Sequence, residues 1–293
     1  MKYGALEAGG TKMVCAIGDE NGQILERTTI PTTTPGETMP LIIDFYRNKK
    51  ISAIGVTCFG PIDLNRNSGT YGYITSTPKI AWRNYDIVGA ISSELKIPVG
   101  FDTDVNGSLL GEVTYGCAQN MTDVIYLTIG TGIGGGVMTN GRLLHGMLHP
   151  ELGHIKIGKR KNDPGDCVCP FHDECFEGLA SGPSIERRWG AKAVDLAYEQ
   201  EVWELEAAYI AEALVDYCLT LSPQKIILGG GVMHQEQLFA LIRERFVQEM
   251  GGYIQTRELE NLEEYIVPAS LNDDQGIMGA IKLAIDVCGH SIA

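Results

Sequence analysis

The chain has 293 residues, of which 44% are hydrophobic and 20% charged, as is ordinary for a globular protein with a sizeable core. This length exceeds one average domain, so two domains are expected. The formal net charge of −14 repels nucleic-acid phosphates and anionic lipid, which argues against nucleic-acid and membrane partners. Glu7 interrupts the first apolar run, so no secretory signal is expected. A cytoplasmic location with reduced cysteines follows from that expectation.

The first part of the chain alternates strand and helix patterns. An apolar segment over residues 3–17 meets Asn21-Gly22, a strong signal for a β-hairpin. The run Thr34-Pro35-Gly36-Glu37 predicts the start of a helix, because it combines an N-cap residue, an early proline and a capping glutamate. The next predicted elements are a strand at Ile51–Cys58, a strand at Ile97–Asp102 and a helix from about Val105 to Tyr115.

The pattern restarts after Cys117. The strands Val124–Ile129 and Ile133–Met138 enclose a Gly-Thr turn and lead to Asn140-Gly141, in the same order as at the start of the chain. Such duplication predicts two similar halves. Later elements are a helix over 203–221, a strand at Lys225–Leu228, a helix at Gln235–Met250, a strand at Tyr265–Val267 and a helix at Gln275–Val287. We therefore expect two α/β domains with mixed sheets, at residues 1–117 and 118–293. The last helix is a candidate to pack back on the first domain.

Three glycine-rich turns each follow an apolar strand: Gly9-Gly10-Thr11-Lys12, Gly130-Thr131-Gly132 and Gly229-Gly230-Gly231. Glycine lets backbone N–H groups approach phosphate oxygens, and threonine adds a hydroxyl donor. Neither of the common nucleotide loops fits these turns. Each turn alone is explained by a tight bend, but the three together suit a nucleotide held in a cleft between two domains.

The segment 167–175 is dense in metal-binding residue types. Cys169, His172 and Cys175 have the spacing of three zinc ligands, and the fourth ligand is either Cys167 or the upstream His154. The alternative is a set of reduced cysteines without a metal. Four protein ligands would leave no open position, so a zinc ion here would be structural.

Together these motifs resemble those of the actin-like ATPase (ribonuclease H-like) superfold. Within it, the chain resembles over its full length the repressor/open-reading-frame/kinase (ROK) family of sugar kinases, and most closely its bacterial zinc-containing fructokinases. Further matching segments are Asp102–Asn106, Glu151–His154, the cysteine cluster and Asp274–Ala280. The resemblance implies a two-domain kinase that uses Mg²⁺ and ATP to phosphorylate a hexose, with fructose favoured. Related kinases are often dimers, so a homodimer is a further expectation.

Two alternatives belong to the same family. One is a kinase for another hexose, such as glucose or mannose, and the other is a non-catalytic sugar-binding regulator. The family's repressors carry a helix-turn-helix before the first glycine motif. Here that motif begins at Glu7, and the acidic charge is unsuited to DNA, so the kinase is favoured.

The resemblance also implies roles for individual residues. Asp104 or Asn106 would by position alone cap the following helix, but the catalytic aspartate of the family falls on Asp104. The family usually has asparagine before this aspartate, where this chain has Thr103. The residues implied to line the sugar pocket are Gly60, Thr103, Glu151 and Glu177.

The implied zinc ligands are His154, Cys169, His172 and Cys175, which leaves Cys167 as the spare cysteine. Pro183 is implied to border the nucleotide. Relatives in the superfold place aspartate at the position of Glu7 to orient magnesium through water, and glutamate keeps the oxygen ligand. Since Glu151 and Glu177 flank the zinc ligands in sequence, loss of zinc is expected to disturb the sugar pocket before the phosphate turns.

Overall fold

The computed structural model describes residues 1–289. Its strands are, in chain order, β1 (Tyr3–Ala8), β2 (Lys12–Gly18), β3 (Ile24–Pro31), β4 (Ile54–Cys58), β5 (Tyr73–Ile74), β6 (Tyr85–Asp86), β7 (Val99–Thr103), β8 (Val124–Ile129), β9 (Ile133–Thr139), β10 (Arg142–Leu143), β11 (Lys225–Gly229) and β12 (Ile266–Pro268). Its α-helices are α1 (Pro35–Tyr46), α2 (Ile87–Leu95), α3 (Asp104–Tyr115), α4 (Phe176–Ala180), α5 (Gly182–Trp189), α6 (Gln200–Leu221), α7 (Gln237–Met250), α8 (Arg257–Glu260), α9 (Leu262–Tyr265) and α10 (Gln275–Gly289). Among the described residues, no helix combines the length and the apolar character needed to span a membrane.

The chain forms two compact units, and neither is continuous in sequence. The first comprises residues 1–120, residues 144–149 and the C-terminal segment from Ser270. The second comprises residues 121–143 and 150–269. The final helix α10 therefore belongs to the first unit, as does a short segment from the middle of the chain.

The first unit is built on a sheet with strand order β3-β2-β1-β4-β7. Strands β1, β2 and β3 pair antiparallel, whereas β4 and β7 add in parallel. Helix α10 packs closely on this sheet because Gly55 of β4 has no side chain: a Cβ there would overlap the carbonyl oxygen of Ala280. Ala280, Ile281 and Ala284 are fully buried against the strands.

The second unit repeats this design. Its sheet has the order β10-β9-β8-β11-β12, with an antiparallel meander from β8 to β10 and parallel additions of β11 and β12. The long helix α6 buries one apolar face and packs against α7. The equal strand order and directions confirm the α/β fold of two similar halves that the repeated sequence pattern predicts.

Candidate functional site

Asp104 lies where β7 passes into α3, at the edge of the first sheet. Thr103 is the N-cap of this helix, and its side-chain oxygen accepts a hydrogen bond from the Asn106 amide at 3.1 Å. Thr103 is also buried, with 2% exposure, so capping is the role that its contacts show. The Asp104 Oδ1 atom accepts a hydrogen bond from the Val105 amide at 2.9 Å, which orients the carboxylate and leaves its second oxygen for another partner.

Two carboxyl groups of the first unit have raised pKa values. Burial raises the pKa of Asp104 to about 6, and the backbone bonds from Val105 and from Asp104 itself oppose this shift. Burial, together with the charge of Asp104, raises the pKa of Glu7 on β1 to about 7, against opposing effects of Arg27 and Lys12. Carboxyl groups that titrate near neutral pH are suited to accepting a proton in catalysis.

The first glycine-rich turn joins β1 to β2. The Thr32 hydroxyl donates a hydrogen bond to the Gly9 carbonyl at 2.8 Å, while Thr11 and Lys12 are exposed. A Cβ on Gly10 would lie 2.9 Å from the Cε atom of Lys79. Lys79 thus brings a cation to this turn. No motif in the sequence singles out Lys79, because it lies in the long loop between β4 and α2.

Gly60 follows β4 and lies against His149. A Cβ on Gly60 would come 3.2 Å from the His149 ring, and His149 Nε2 accepts a hydrogen bond from the Ile62 amide at 3.4 Å. His149 is 8% exposed. The sequence offers one signal for His149, which is its position two residues before Glu151, a predicted sugar ligand.

The second unit brings three predicted nucleotide segments together. The Gly130 carbonyl accepts a hydrogen bond from Gly182, which directly precedes Pro183, at 2.7 Å. A Cβ on Gly130 would lie 3.6 Å from the amide nitrogen of Gly231. The turn of residues 130–132, the start of α5 and the third glycine cluster are therefore neighbours. Thr131 and Pro183 are both exposed beside them.

The third cluster depends on glycine at Gly230. This residue has φ of 90°, and a Cβ there would lie 2.5 Å from the Ile129 carbonyl oxygen. Gly229 ends β11, and Gly231 opens a 3₁₀ helix that ends at His234. The close approach of strand β11 to the end of β8 therefore excludes other residues from position 230.

The four predicted zinc ligands form one cluster in the second unit. One ligand atom from each of His154, Cys169, His172 and Cys175 lies within 4.8 Å of the others. Cys169 Sγ is 3.4 Å from His172 Nδ1 and 4.0 Å from His154 Nδ1, and Cys175 Sγ is 3.8 Å from His154 Nδ1. The spare Cys167 donates instead to the His172 carbonyl at 3.1 Å.

The cluster fits a zinc ion by donor chemistry and by distance. Zinc–sulfur bonds of about 2.3 Å and zinc–nitrogen bonds of about 2.0 Å in a tetrahedron place sulfur and nitrogen roughly 3.5 Å apart. The observed sulfur–nitrogen distances of 3.4 to 4.0 Å agree with that value. Two thiols and two imidazoles are also a usual donor set for structural zinc.

Glu177 lies between the metal cluster and the turn of residues 130–132. Its Oε2 atom accepts a hydrogen bond from the Ile133 amide at 2.9 Å, and its Oε1 atom is 3.9 Å from His154 Nε2. The side chain is 28% exposed, so it is also open to a ligand. Glu151 is exposed and precedes the 3₁₀ helix Leu152–His154 that carries the first cluster residue.

Comparisons with known proteins show the family of the chain. The model of the ROK family matches residues 3–287. The fructokinase of Pediococcus pentosaceus is 45% identical over 97% of this chain and 98% of the relative, and that of Streptococcus mutans serotype c is 44% identical over 96% and 97%. The crystal structure of a ROK hexokinase from Thermus thermophilus superposes with a TM-score of 0.80 at 26% identity, covering 97% of this chain and 98% of that one.

Proposed function

Since the chain belongs to the ROK family, we propose that it is an ATP-dependent fructokinase, which transfers the γ-phosphoryl group of ATP to a hydroxyl of D-fructose. The observation that carries this proposal is the 44–45% identity to two fructokinases over nearly the whole length of each chain. The fold agrees with it, because the solved structure of a ROK hexokinase superposes over nearly the whole chain.

Asp104 is the proposed general base. Its Oδ1 atom accepts a hydrogen bond from the Val105 amide. Oδ2 is therefore the atom that would accept the proton of the attacking sugar hydroxyl. A pKa of about 6 leaves this carboxylate mostly ionised at neutral pH, yet more basic than an ordinary aspartate. Proton removal as the γ-phosphoryl group arrives makes the hydroxyl oxygen a better nucleophile.

The glycine turns are the proposed phosphate-binding elements. In the first unit Gly9, Gly10, Thr11 and Lys12 offer backbone amides, a hydroxyl and a cation, to which Lys79 adds a second cation. In the second unit Gly130, Thr131 and Gly132 would contact phosphate, and Pro183 with Gly229, Gly230 and Gly231 would border the nucleoside. Such local donors explain how a chain with a net charge of −14 would hold an anionic nucleotide. Mg²⁺ bound with ATP would supply further charge neutralisation, and Glu7 is the proposed residue that orients it through water.

The sugar would be bound by Gly60, Glu151 and Glu177, and we add His149 to this set because its ring lies against Gly60. Carboxylates accept hydrogen bonds from paired sugar hydroxyls, as Glu151 and Glu177 would do. Thr103 is a further proposed sugar contact, because its hydroxyl still has a proton to donate while its oxygen caps α3.

His154, Cys169, His172 and Cys175 are the proposed ligands of a structural zinc ion. When bound, this ion would cross-link the 3₁₀ helix of His154 to the loop of residues 169–175. It would also fix Glu177, which lies two residues beyond the last ligand.

A coupled assay of ADP release with fructose, mannose and glucose as acceptors tests the function. We expect the highest kcat/KM with fructose. A preference for glucose or mannose would assign the kinase to another hexose, and sugar binding without ADP release would identify a regulator instead.

A further inference from the structure

Asp102 lies two residues before the proposed base, and the proposed function gives it no role. It is buried, with 4% exposure, yet each of its carboxylate oxygens is hydrogen-bonded. Its Oδ1 atom accepts from the Thr103 amide at 2.8 Å and from Asn106 Nδ2 at 2.7 Å. Its Oδ2 atom lies 2.9 Å from His145 Nε2. Burying a carboxylate is costly unless its oxygens are paired, and here they are.

The partners of Asp102 flank Asp104 on both sides. Thr103 directly precedes Asp104. Asn106 lies in the first turn of α3, and its backbone amide donates a hydrogen bond to the Thr103 side chain. The backbone amide of Thr103 and the side chain of Asn106 therefore both donate hydrogen bonds to the Asp102 carboxylate. A displacement of Asp102 would shift the peptide that sets the direction of the Asp104 side chain.

His145 comes from the segment 144–149, which the fold assigns to the first unit. Its side chain is 39% exposed and faces a cavity of about 460 Å³. Among the residues that the structure describes, the other titratable side chains that line this cavity are Arg66, Tyr71 and Asp286. In this pair Asp102 is buried, whereas His145 is partly exposed and can exchange protons with solvent.

On the basis of the proposed kinase activity, we propose that Asp102 and His145 are positioning residues that hold the first turn of α3, and with it the Asp104 carboxylate, in the orientation that accepts the sugar proton. The strength of the interaction between Asp102 and His145 depends on the charge of His145. Protonation of the imidazole turns its hydrogen bond to the carboxylate into an ion pair, which adds the attraction between the two opposite charges.

The direction of the pH effect follows from the pair. The hydrogen bond to Asp102 raises the pKa of His145 above its ordinary value of 6.5, against an opposing effect of burial. The ion pair is therefore fully present below about pH 6.5 and is lost as the pH rises through the raised pKa of His145. The two requirements on pH are opposite: Asp104 must lose its proton to act as the base, whereas His145 must keep its proton to form the ion pair.

The test is the dependence of kcat on pH in the wild-type protein and in His145→Gln. In the wild type, kcat is expected to rise as Asp104 ionises and then to fall about fivefold as His145 loses its proton. Glutamine keeps a neutral donor but does not titrate, so His145→Gln should retain the rise, lack the fall and reach a plateau at the wild-type alkaline level. The KM for ATP should not change. Arg66→Gln is the matched control, since it removes a cation that also lines the cavity and should leave the fall in place.

A second measurement is independent of turnover. The imidazole signals of His145 are titrated by NMR in the wild type and in Asp102→Asn, where the pKa is expected to return toward its ordinary value. An unchanged pKa of His145, or a fall in kcat that persists in His145→Gln, would overturn the positioning role. Absence of ADP release in the wild type at every pH would instead overturn the proposed kinase function.

Discussion

Replacement of Cys169 by serine is expected to weaken ATP binding as well as fructose binding. The Cys169 thiol lies 3.4 Å from His172 Nδ1 and 4.0 Å from His154 Nδ1, so the substitution removes one proposed zinc ligand. Loss of a structural metal loosens the segment that it cross-links. The sequence alone predicts that loss of zinc disturbs the sugar pocket before the phosphate turns. The structure alters that expectation, because the metal cluster is joined to the turn of residues 130–132.

Two hydrogen bonds make that connection. The Glu177 carboxylate accepts from the Ile133 amide at 2.9 Å, and a bond of this charged kind contributes about 1.5–3 kcal/mol. The Gly182 amide donates to the Gly130 carbonyl at 2.7 Å, and a neutral bond contributes about 0.5–1.5 kcal/mol. Losing even the smaller estimate of the first bond corresponds to about a tenfold change in an equilibrium constant. We therefore expect the KM for ATP to rise about tenfold in Cys169→Ser, together with the KM for fructose.

The assay combines steady-state kinetics, elemental analysis and thermal unfolding. Cys167→Ser is the matched control, because Cys167 donates to the His172 carbonyl and lies outside the four-ligand cluster. It should retain one zinc per chain and near-normal KM values. A Cys169→Ser protein that has lost its zinc but keeps the wild-type KM for ATP would refute the proposed coupling. Less than about a tenth of a zinc per wild-type chain, with full activity, would refute the zinc site itself.

Three further predictions concern the proposed base and the phosphate turn. Asp104→Asn cannot accept the sugar proton, so kcat should fall roughly 100-fold or more while ATP affinity measured by calorimetry persists; turnover within a few-fold of wild type would remove Asp104 from that role. The kcat/KM for fructose should rise with pH through about 6, because Asp104 acts only when ionised, and a flat profile there would contradict this. Thr131→Val should raise the KM for ATP several-fold and leave the KM for fructose unchanged, whereas unaltered ATP affinity would place this turn away from the nucleotide.

The main elements of the fold could be predicted because local signals and the repeated pattern agree. The strand–turn–strand order before Asn21-Gly22 recurs before Asn140-Gly141, and both become antiparallel meanders in sheets of the same strand order. The first and last residues of the predicted elements differ from those in the structure by a few positions. The strand predicted from Ile51 begins at Ile54, and helix α2 was not predicted, because its nine residues carry no early proline or capping glutamate.

The candidate site was harder to predict, because much of it depends on contacts between distant segments. The cysteine cluster has a local spacing signal, and its residues do lie together with His154. The contact between Glu177 and Ile133 joins residues 44 positions apart, and that between Asp102 and His145 joins residues 43 apart. No short-range pattern specifies such pairs. The cap of α3 is a local contact, but the sequence assigns it to Asp104 or Asn106, whereas in the structure Thr103 makes it.

The most direct test of the central claim follows the phosphoryl group itself. The protein is incubated with Mg²⁺, γ-labelled ATP and fructose, and the label is traced to nucleotide, inorganic phosphate or sugar. Asp104→Asn serves as the matched control, because its phosphate turns are unchanged. The proposed function predicts one labelled fructose phosphate for each ADP released, with transfer strongly reduced in Asp104→Asn. Label recovered only as unreacted ATP or as inorganic phosphate would contradict it.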